Sequence, residues 1–321
     1  MIGHTLQQIT PLTTNVPKTD YEAYNPEKVY AKAEICTVEE DGKNYYCTLN
    51  DIQGLTPKAN LEIWDSEPMN YLRMFDYTNS GKTTNPESIE VTFKAINIDA
   101  ISFFGLVAKE VEISMIDNDT NAQIYTKTFD LVEDELEDFA DYLFSEQELQ
   151  EKLSSIIPSE TLDNVIAAMT QEQIVDRFTA TPPIYYDTTV TIKIKNPGSI
   201  AECAFCTVGM QRDLGFTVRN SLSQNKSSIN IDDRDRFGNI NFKNALAFNT
   251  ITAEVYTDMD FNILDKKLSK IQGKPFVFIP ARGIYATNIL GIYTELDTPV
   301  DPEDTSYTLE IKSLIRDYQN D

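Results

Sequence analysis

The stretch Ile89-Glu90-Val91-Thr92-Phe93-Lys94-Ala95 alternates strictly between apolar and polar side chains. Successive side chains of a β-strand point to opposite faces, so this two-residue period predicts a strand with one buried face. The stretches 111–115, 124–129 and 189–195 repeat the pattern. A chain with this many alternating segments is expected to be mainly β, built around a sandwich of two sheets that resembles a jelly roll.

The segments between these stretches predict how the strands connect. Ile101 to Ala108 is a more continuous apolar run, which is typical of a strand buried on both faces. Asp117-Asn118-Asp119-Thr120-Asn121 predicts a hairpin turn, although its first residues also match the ligand positions of a calcium loop. The central glycine of such a loop is missing, and Thr128 stands at its twelfth position, so the turn is favoured. Asn196-Pro197-Gly198 is expected to end the strand over 189–195.

Half of the formal net charge of −24 lies in about 15% of the chain. Residues 130–177 contain 14 Asp or Glu and 2 Lys or Arg, so their net charge is −12. A surface this acidic repels phosphate backbones, which argues against general nucleic-acid binding. It suits a solvated helical face or docking against a basic partner.

Helix signals interrupt the β pattern within this acidic segment. Ser145-Glu146-Gln147-Glu148 fits a capping box. We expect helices over 149–157 and 162–169, and a third helix over 174–178. The simplest organisation is a β-sandwich that carries a helical insertion at 130–183.

The last third of the chain predicts a compact α+β domain. Its helix is expected to begin near Asp258 or Asp260 and to end before Gly273. Four apolar residues would share one face of this helix: Phe261, Leu264, Leu268 and Ile271. Strands are expected at 240–242, 251–256, 276–279, 289–293 and 307–311. The predicted domains are therefore 1–67, 68–215 and 216–321.

An aromatic segment near the start of the chain is the strongest candidate for binding. Residues 21–64 hold five tyrosines and the single tryptophan, and they are expected to form a small hairpin module. The candidate binding residues are Tyr24, Tyr30, Tyr45, Tyr46 and Trp64. Such rings either stack on sugars and anchor interfaces, or pack against each other across strands. Both interpretations stay open at this point, and for Trp64 a role in the core is favoured.

The cysteines do not predict a metal site or a definite disulfide. If the hairpin turned tightly on Asp41-Gly42, Cys36 would lie opposite Cys47; a four-residue turn over 39–42 is equally compatible. Reduced thiols are favoured over a disulfide. Cys203-Ala204-Phe205-Cys206 is a C-x-x-C sequence, but no second pair accompanies it and the chain has one histidine, so zinc is not expected.

Other functional classes lack their characteristic residues. Catalysis of the Ser-His or Cys-His type would depend on His4, which we expect in a floppy end. No glycine-rich phosphate loop or cofactor motif is present, so no cofactor is expected. A glycosidase carboxylate pair cannot be picked out among 51 acidic residues. No run of eighteen apolar residues and no secretory signal is present, so we expect no membrane insertion and folding in the cytoplasm.

The aromatic segment resembles a small chitin-binding-type carbohydrate module. That module has Tyr-x-x-Gly-Asp-x-Val, a turn, Gly-Lys-x-Tyr and then Trp. Here Tyr30-Ala31-Lys32-Ala33-Glu34-Ile35, Asp41-Gly42-Lys43-Asn44-Tyr45 and Trp64 follow in the same order. Ala33 and Glu34 replace the glycine and the aspartate. Tyr46-Cys47-Thr48-Leu49 stands where the module's adjacent tryptophan pair would lie.

Nearly the whole chain, apart from 130–183, is similar to a family of tail-associated structural virion proteins of tailed bacteriophages. Beyond the aromatic segment, the similarity rests on residues 71–76, on 208–215 and on 232–238. It implies a non-enzymatic adaptor in the virion tail that joins tail or fibre proteins, forms homo-oligomers and contacts host polysaccharide. The alternatives are a glycan-binding adhesin and a polysaccharide-degrading enzyme of the particle.

Overall fold

The computed structural model describes residues 1–77, 81–133, 173–218, 220–229, 232–234, 240–242, 246–281, 283–297 and 305–314. The protein is mainly β, with several sheets and few helices, as the alternating stretches predict. Its described helices are α1 Asn70–Arg73 and α2 Phe261–Ile271, with 3₁₀ turns at Glu39–Asp41, Pro57–Ala59 and Tyr285–Thr287. Within the described ranges, no helix is long and apolar enough to cross a membrane.

A five-stranded antiparallel sheet contains the stretch with which the sequence was introduced. Its strands, in spatial order, are β2 Pro11–Thr14, β6 Thr83–Ile98, β13 Tyr185–Cys203, β8 Glu110–Asp117 and β9 Gln123–Asp130. Ile89, Val91, Phe93 and Ala95 are all buried, so the predicted alternation is confirmed. The turn predicted at 117–121 does join β8 and β9 as a hairpin.

A three-stranded sheet packs against the buried face of the first sheet. Its strands are β12 Arg177–Ala180, β7 Ala100–Phe104 and β14 Phe205–Gly209. Phe103 and Val208 share one core with Phe93 and Ile192 of the five-stranded sheet. Phe104 points the other way, into a second cluster with Val277 and Leu290. Every residue of β7 is buried, as its continuous apolar run predicts, but the strand ends at Phe104 and not at Ala108, because Gly105 takes a positive φ of 61°.

Two predictions in this region are wrong. Asn196-Pro197-Gly198 does not end β13, because the strand continues through a bulge to Cys203. Gly198 takes a positive φ of 79° there, and Asn196 Nδ2 donates to the carbonyl of Ile200, 2.8 Å away.

The predicted helix over 174–178 is also absent. Gln173–Ile174 is strand β11, which pairs with β10 Val132–Glu133, and Phe178 lies in β12. The burial of β12 follows a two-residue period, and the Phe178 ring lies 5.0 Å from that of Phe103. The helices predicted over 149–157 and 162–169 lie outside the described residues.

An eight-stranded sheet forms the next layer. Its strands, in spatial order, are β15 Gln211–Asp213, β1 Ile2–Thr5, β21 Phe276–Ile279, β22 Ile289–Asp297, β23 Thr305–Ser313, β20 Leu246–Thr257 and β16 Phe216–Thr217, with β17 Ser223–Ile229 also paired to β20. The strands at the two ends of this order, β15 and β16, are separated only by Leu214 and Gly215. The sheet must therefore curl until its ends meet.

Helix α2 packs into this curled sheet, as its apolar face predicts. Leu264, Leu268 and Ile271 belong to the same buried cluster as Phe278 and Leu309. Asp260 caps the helix by accepting a hydrogen bond from Asn262 N, 2.8 Å away. All five strands predicted in this third of the chain are confirmed; the first is β19 Ile240–Phe242, which pairs with β18 Asp232–Arg234.

Candidate functional site

The aromatic segment forms a three-stranded sheet of its own. The strands are β3 Ile35–Val38, β4 Lys43–Cys47 and β5 Trp64–Pro68. Three rings pack together on one face of it: the centroids of Tyr30 and Trp64 are 5.2 Å apart, those of Tyr24 and Tyr30 are 5.6 Å apart, and those of Tyr24 and Trp64 are 6.1 Å apart. These are the edge-to-face and stacked distances of aromatic packing.

The five candidate binding residues are for the most part not available to a ligand. Tyr30, Tyr45 and Trp64 are only 1–2% exposed, and Tyr24 and Tyr46 are partly buried. Burial, followed by the nearby Asp41 carboxylate, raises the pKa of Tyr45 to about 12, and its hydroxyl donates to Asp41 Oδ2 at 3.2 Å. Three of the five aromatic residues thus form the core of the module and cannot offer their faces to a sugar.

The strand register also shows whether Cys36 and Cys47 lie opposite each other. Val38 pairs with Lys43, so the turn spans four residues, and Cys36 lies opposite Tyr45 instead of Cys47. Both cysteines are buried free thiols. Burial raises the pKa of Cys36 to about 11, which keeps this thiol protonated and unreactive near neutral pH.

Apart from Tyr21, which is 39% exposed, the exposed large apolar residues of the module are aliphatic. Val29, Leu49, Leu55 and Leu61, which we call the loop surface, are between 39% and 61% exposed. The segments that carry them are joined by hydrogen bonds: Tyr30 N donates to the carbonyl of Ile52, 2.8 Å away, and Thr48 N donates to that of Ile63, 2.9 Å away. The module therefore buries the rings of Tyr30, Tyr45 and Trp64 and presents branched aliphatic side chains to solvent.

Asp20 fixes the module to the rest of the protein. Its Oδ2 accepts hydrogen bonds from Asn44 Nδ2 in β4 and from Asn70 N at the start of α1, both at 2.7 Å. Asn70 in turn bonds Thr84 at the start of β6 through both side-chain atoms, at 2.7 and 2.9 Å. The module is thus held rigidly at one end of the longest strands of the protein.

A second buried site lies between the three-stranded and eight-stranded sheets. His4 was expected in a floppy end, but it lies in β1, which pairs with β15 and β21, and it is fully buried. Its Nε2 is 2.7 Å from Ser102 Oγ, and Ser102 Oγ is 2.7 Å from Thr179 Oγ1. Asn288 Nδ2 donates to Thr179 Oγ1 at 3.4 Å. We call these four residues the hydroxyl chain.

The protonation state of His4 determines the direction of each hydrogen bond in the hydroxyl chain. Burial lowers the pKa of His4 to about 4, so the ring is neutral near pH 7. Its Nδ1 faces the carbonyl of Thr5 at 3.0 Å, and because a carbonyl only accepts, Nδ1 carries the proton. Nε2 must then accept from Ser102, whose oxygen accepts from Thr179.

The His4–Ser102 pair does not have the geometry of an accessible nucleophile. Ser102 is fully buried and its hydroxyl already bonds both neighbours, so a substrate carbonyl cannot approach it. Sequence reasoning missed this pair. A serine within the otherwise apolar run 101–108 was the available signal, because a buried hydroxyl requires a partner.

The hairpin turn at 117–121 closes on itself. Asp117 accepts hydrogen bonds from Asp119 N at 3.1 Å and from Thr120 Oγ1 at 2.7 Å, as an Asx turn does. Across the described part of the chain, no group of three His, Cys, Asp or Glu residues could hold a metal ion. The Asp117 carboxylate therefore stabilises the hairpin turn through these two hydrogen bonds.

Compared with known proteins, the chain matches no family model, no curated protein and no solved structure. The similarity to phage tail proteins and to chitin-binding-type modules thus rests on the sequence motifs alone.

Proposed function

We propose that this protein is a non-enzymatic component of a phage virion tail, an adaptor that joins tail or fibre proteins and forms homo-oligomers. In this proposal it is made in the host cytoplasm and acts within the particle. The two central sheets would be its jelly-roll-like sandwich. One observation carries the adaptor role: the aromatic module buries Tyr30, Tyr45 and Trp64 and exposes the loop surface.

The chemistry of that surface favours a protein partner over a glycan. Sugars are held by the flat faces of aromatic rings and by hydrogen bonds, but Tyr30, Tyr45 and Trp64 are buried. Branched aliphatic side chains gain free energy by packing against other apolar side chains, which an interface between proteins supplies. The outer face of the five-stranded sheet exposes Ile96 and Ile116 as well, but there they lie among threonines and ion pairs, such as Lys195 with Glu110 at 2.7 Å.

Rigid attachment supports the same proposal. An adaptor must hold two partners at a fixed orientation, and the bonds through Asp20 and Asn70 tie the module to the start of β6. Pre-organised surfaces also bind more tightly, because little conformational entropy is lost on association.

The experiment is a count of this protein in purified particles of the phage that encodes it, by quantitative mass spectrometry. We expect a defined copy number in wild-type particles. The double variant Leu49→Ser/Leu61→Ser should fold with an unchanged melting temperature and be lost from the particles. Leu12→Ser is the matched control, since Leu12 is equally exposed but lies in β2, outside the module.

Absence of the wild-type protein from purified particles would overturn the virion proposal. Normal incorporation of the double variant would instead show that the loop surface is not needed for assembly into the particle.

A further inference from the structure

The solvent-facing side of helix α2 concentrates positive charge on a strongly acidic protein. Residues 266–274 contain four lysines and no Asp or Glu, whereas the whole chain has a net charge of −24. We call these lysines the basic surface: Lys266, Lys267, Lys270 and Lys274. All but Lys267, which is partly buried, are exposed. Ile263, one turn before Lys266 and Lys267, is 54% exposed beside them.

The basic surface is not neutralised by the described part of the chain. On the five-stranded sheet, by comparison, Lys195 Nζ lies 2.7 Å from Glu110 Oε1 and 2.9 Å from Glu112 Oε2. Among the described residues, no such carboxylate partner is found for the four lysines of α2, and Lys267 Nζ lies 2.8 Å from Met259 Sδ instead. The ammonium groups of this surface are therefore presented to solvent.

The helix dipole accounts for part of the basic surface. It favours anions at the N-terminal end of α2, where Asp258 and Asp260 stand, and cations in the last turn, where Lys270 stands. The effect falls off within one turn, however, while Lys266 lies in the middle of α2 and Lys274 beyond its end. The surface thus extends further than stabilisation of the helix requires.

The chain also contains a stretch of the opposite charge. Residues 133–141, which begin at the end of β10, contain six Asp or Glu and no Lys or Arg. We call them the acidic stretch. Two copies of a protein with this net charge repel each other in most orientations, so the contact that opposes unlike charges is favoured. A phosphate polymer is negative along its whole length and cannot orient its charge in this way.

We propose that the basic surface of one copy binds the acidic stretch of a second copy. The ammonium groups of Lys266, Lys270 and Lys274 pair with its carboxylates in charge-assisted hydrogen bonds. Each copy carries both halves of the contact, so a two-fold dimer makes it twice. This inference supplies an interface for the homo-oligomer of the proposed function, and it rests on that proposal in this respect.

Sedimentation velocity on the full chain tests the contact. We expect the wild type to be a dimer in about 0.1 M salt and to dissociate in about 1 M salt, because the Debye length falls from about 10 Å to about 3 Å. The triple variant Lys266→Glu/Lys270→Glu/Lys274→Glu should raise the dissociation constant of the dimer about tenfold or more, since it replaces attraction by repulsion.

A matched control separates the basic surface from the net charge of the protein. Lys32, Lys43 and Lys94 are exposed lysines outside α2. The variant Lys32→Glu/Lys43→Glu/Lys94→Glu makes the same change in net charge as the first triple variant. It should keep the dissociation constant of the wild type.

A pair of complementary variants shows whether the two halves meet. The variant Asp134→Asn/Glu135→Gln/Glu137→Gln/Asp138→Asn neutralises most of the acidic stretch and should not associate with itself in about 0.1 M salt. Mixed with the triple variant of α2, it should form a heterodimer, because one partner keeps the basic surface and the other keeps the acidic stretch. A variant that had merely failed to fold would not be rescued in this way.

Three results would overturn the proposal: a monomeric wild type at both salt concentrations, equal loss of association in the matched control, or no heterodimer from the complementary variants. Tighter binding of a thymidine oligonucleotide than of a second copy would overturn it as well. All of these measurements are made in solution, so their failure leaves the copy number in particles untouched. Absence of the protein from particles would likewise leave the dimer in solution standing.

Discussion

The aromatic cluster of the module and the hydroxyl chain between the larger sheets are both buried. They differ in the kind of contact that joins their members. The rings of Tyr24, Tyr30 and Trp64 satisfy one another by packing and cover one face of a small sheet. The hydroxyl chain runs in one direction from Asn288 to His4 and leaves Asn288 Oδ1, which is itself buried, without a hydrogen-bond partner. Residue types that suggest binding can thus be used by the fold itself, and a buried chain of hydrogen bonds need not satisfy every polar atom in it.

The largest expected effect separates a ring in the core from a ring that grips a ligand. Trp64→Ala should lower the free energy of unfolding of the module by about 4 kcal/mol, because it leaves a cavity among Tyr24, Tyr30 and Cys47. Hydrogen exchange of the β3 and β4 amides, read by mass spectrometry, should rise accordingly. Tyr21→Ala, at an exposed position, should leave exchange unchanged. If hydrogen-exchange protection were unaltered in Trp64→Ala, the Trp64 ring would not be part of the core, and Trp64 would again be a candidate binding residue.

The hydroxyl chain should make stability depend on pH. The pKa of His4 is about 4 in the folded state and about 6.5 when unfolded, so between these values the unfolded state binds more protons. The contribution is complete above about pH 6.5 and is lost as the pH falls through 4, by about 3 kcal/mol in all. Urea unfolding of the wild type and of His4→Gln over this range measures it.

The free energy of unfolding is plotted against pH for the two proteins, and their slopes are compared. Because the carboxylates titrate in both proteins, their contribution cancels in this comparison. The His4→Gln profile should be flatter by the stated amount. Equal slopes in the two proteins would mean that His4 is not held neutral in the folded state.

A smaller effect is expected where β14 passes β1. A β-carbon at Gly209 would stand 1.7 Å from the Thr5 carbonyl oxygen and 3.0 Å from His4 Nδ1. Gly209→Ala should therefore push β1 away and lower the free energy of unfolding by about 2 kcal/mol, as overpacking does. Gly54→Ala meets no neighbour within 4 Å and bears only the strain of its φ of 70°, about 1 kcal/mol. Equal losses in the two variants, measured by urea unfolding, would contradict the close contact.

The smallest effect concerns the thiols. All four cysteines are buried and free, and burial raises the pKa of Cys203 and Cys206 as well as that of Cys36. Reducing agent should thus change neither the mass nor the melting temperature, and a thiol reagent should react only after denaturation. A mass increase of two hydrogens on reduction would reveal a disulfide and contradict the four free thiols.

The parts of the fold that sequence predicts are those in which a local period is strong. The alternation over 89–95 and the Asp260 cap of α2 are examples, since each needs only neighbouring residues to be read. The interpretation of 174–178 as helix was wrong because pairing of β12 with β7 overrides a short apolar pattern. Asn196-Pro197-Gly198 was misread because a bulge uses the same residues as a turn.

The candidate sites were harder to predict, because burial is decided by distant segments. The tyrosines of the module were identified as a group, but only the sheet register shows which of them face the core. Each hydrogen bond of the hydroxyl chain joins residues that are 77 to 109 positions apart, and no local pattern links His4 with Thr179 or Asn288. The role of Asp20 likewise depends on distant contacts, with Asn44 in β4 and Asn70 in α1.

The position of β1 between β15 and β21 also constrains how the chain is made. About 270 residues separate Thr5 from Phe276, its partner across the sheet. A ribosome adding 5–20 residues per second needs roughly 15–50 s to cover that interval. During that time the strand has no final neighbour on one side, and the curled sheet cannot close. Synthesis therefore leaves an open β edge for many seconds, a period in which pairing with another nascent copy competes with folding.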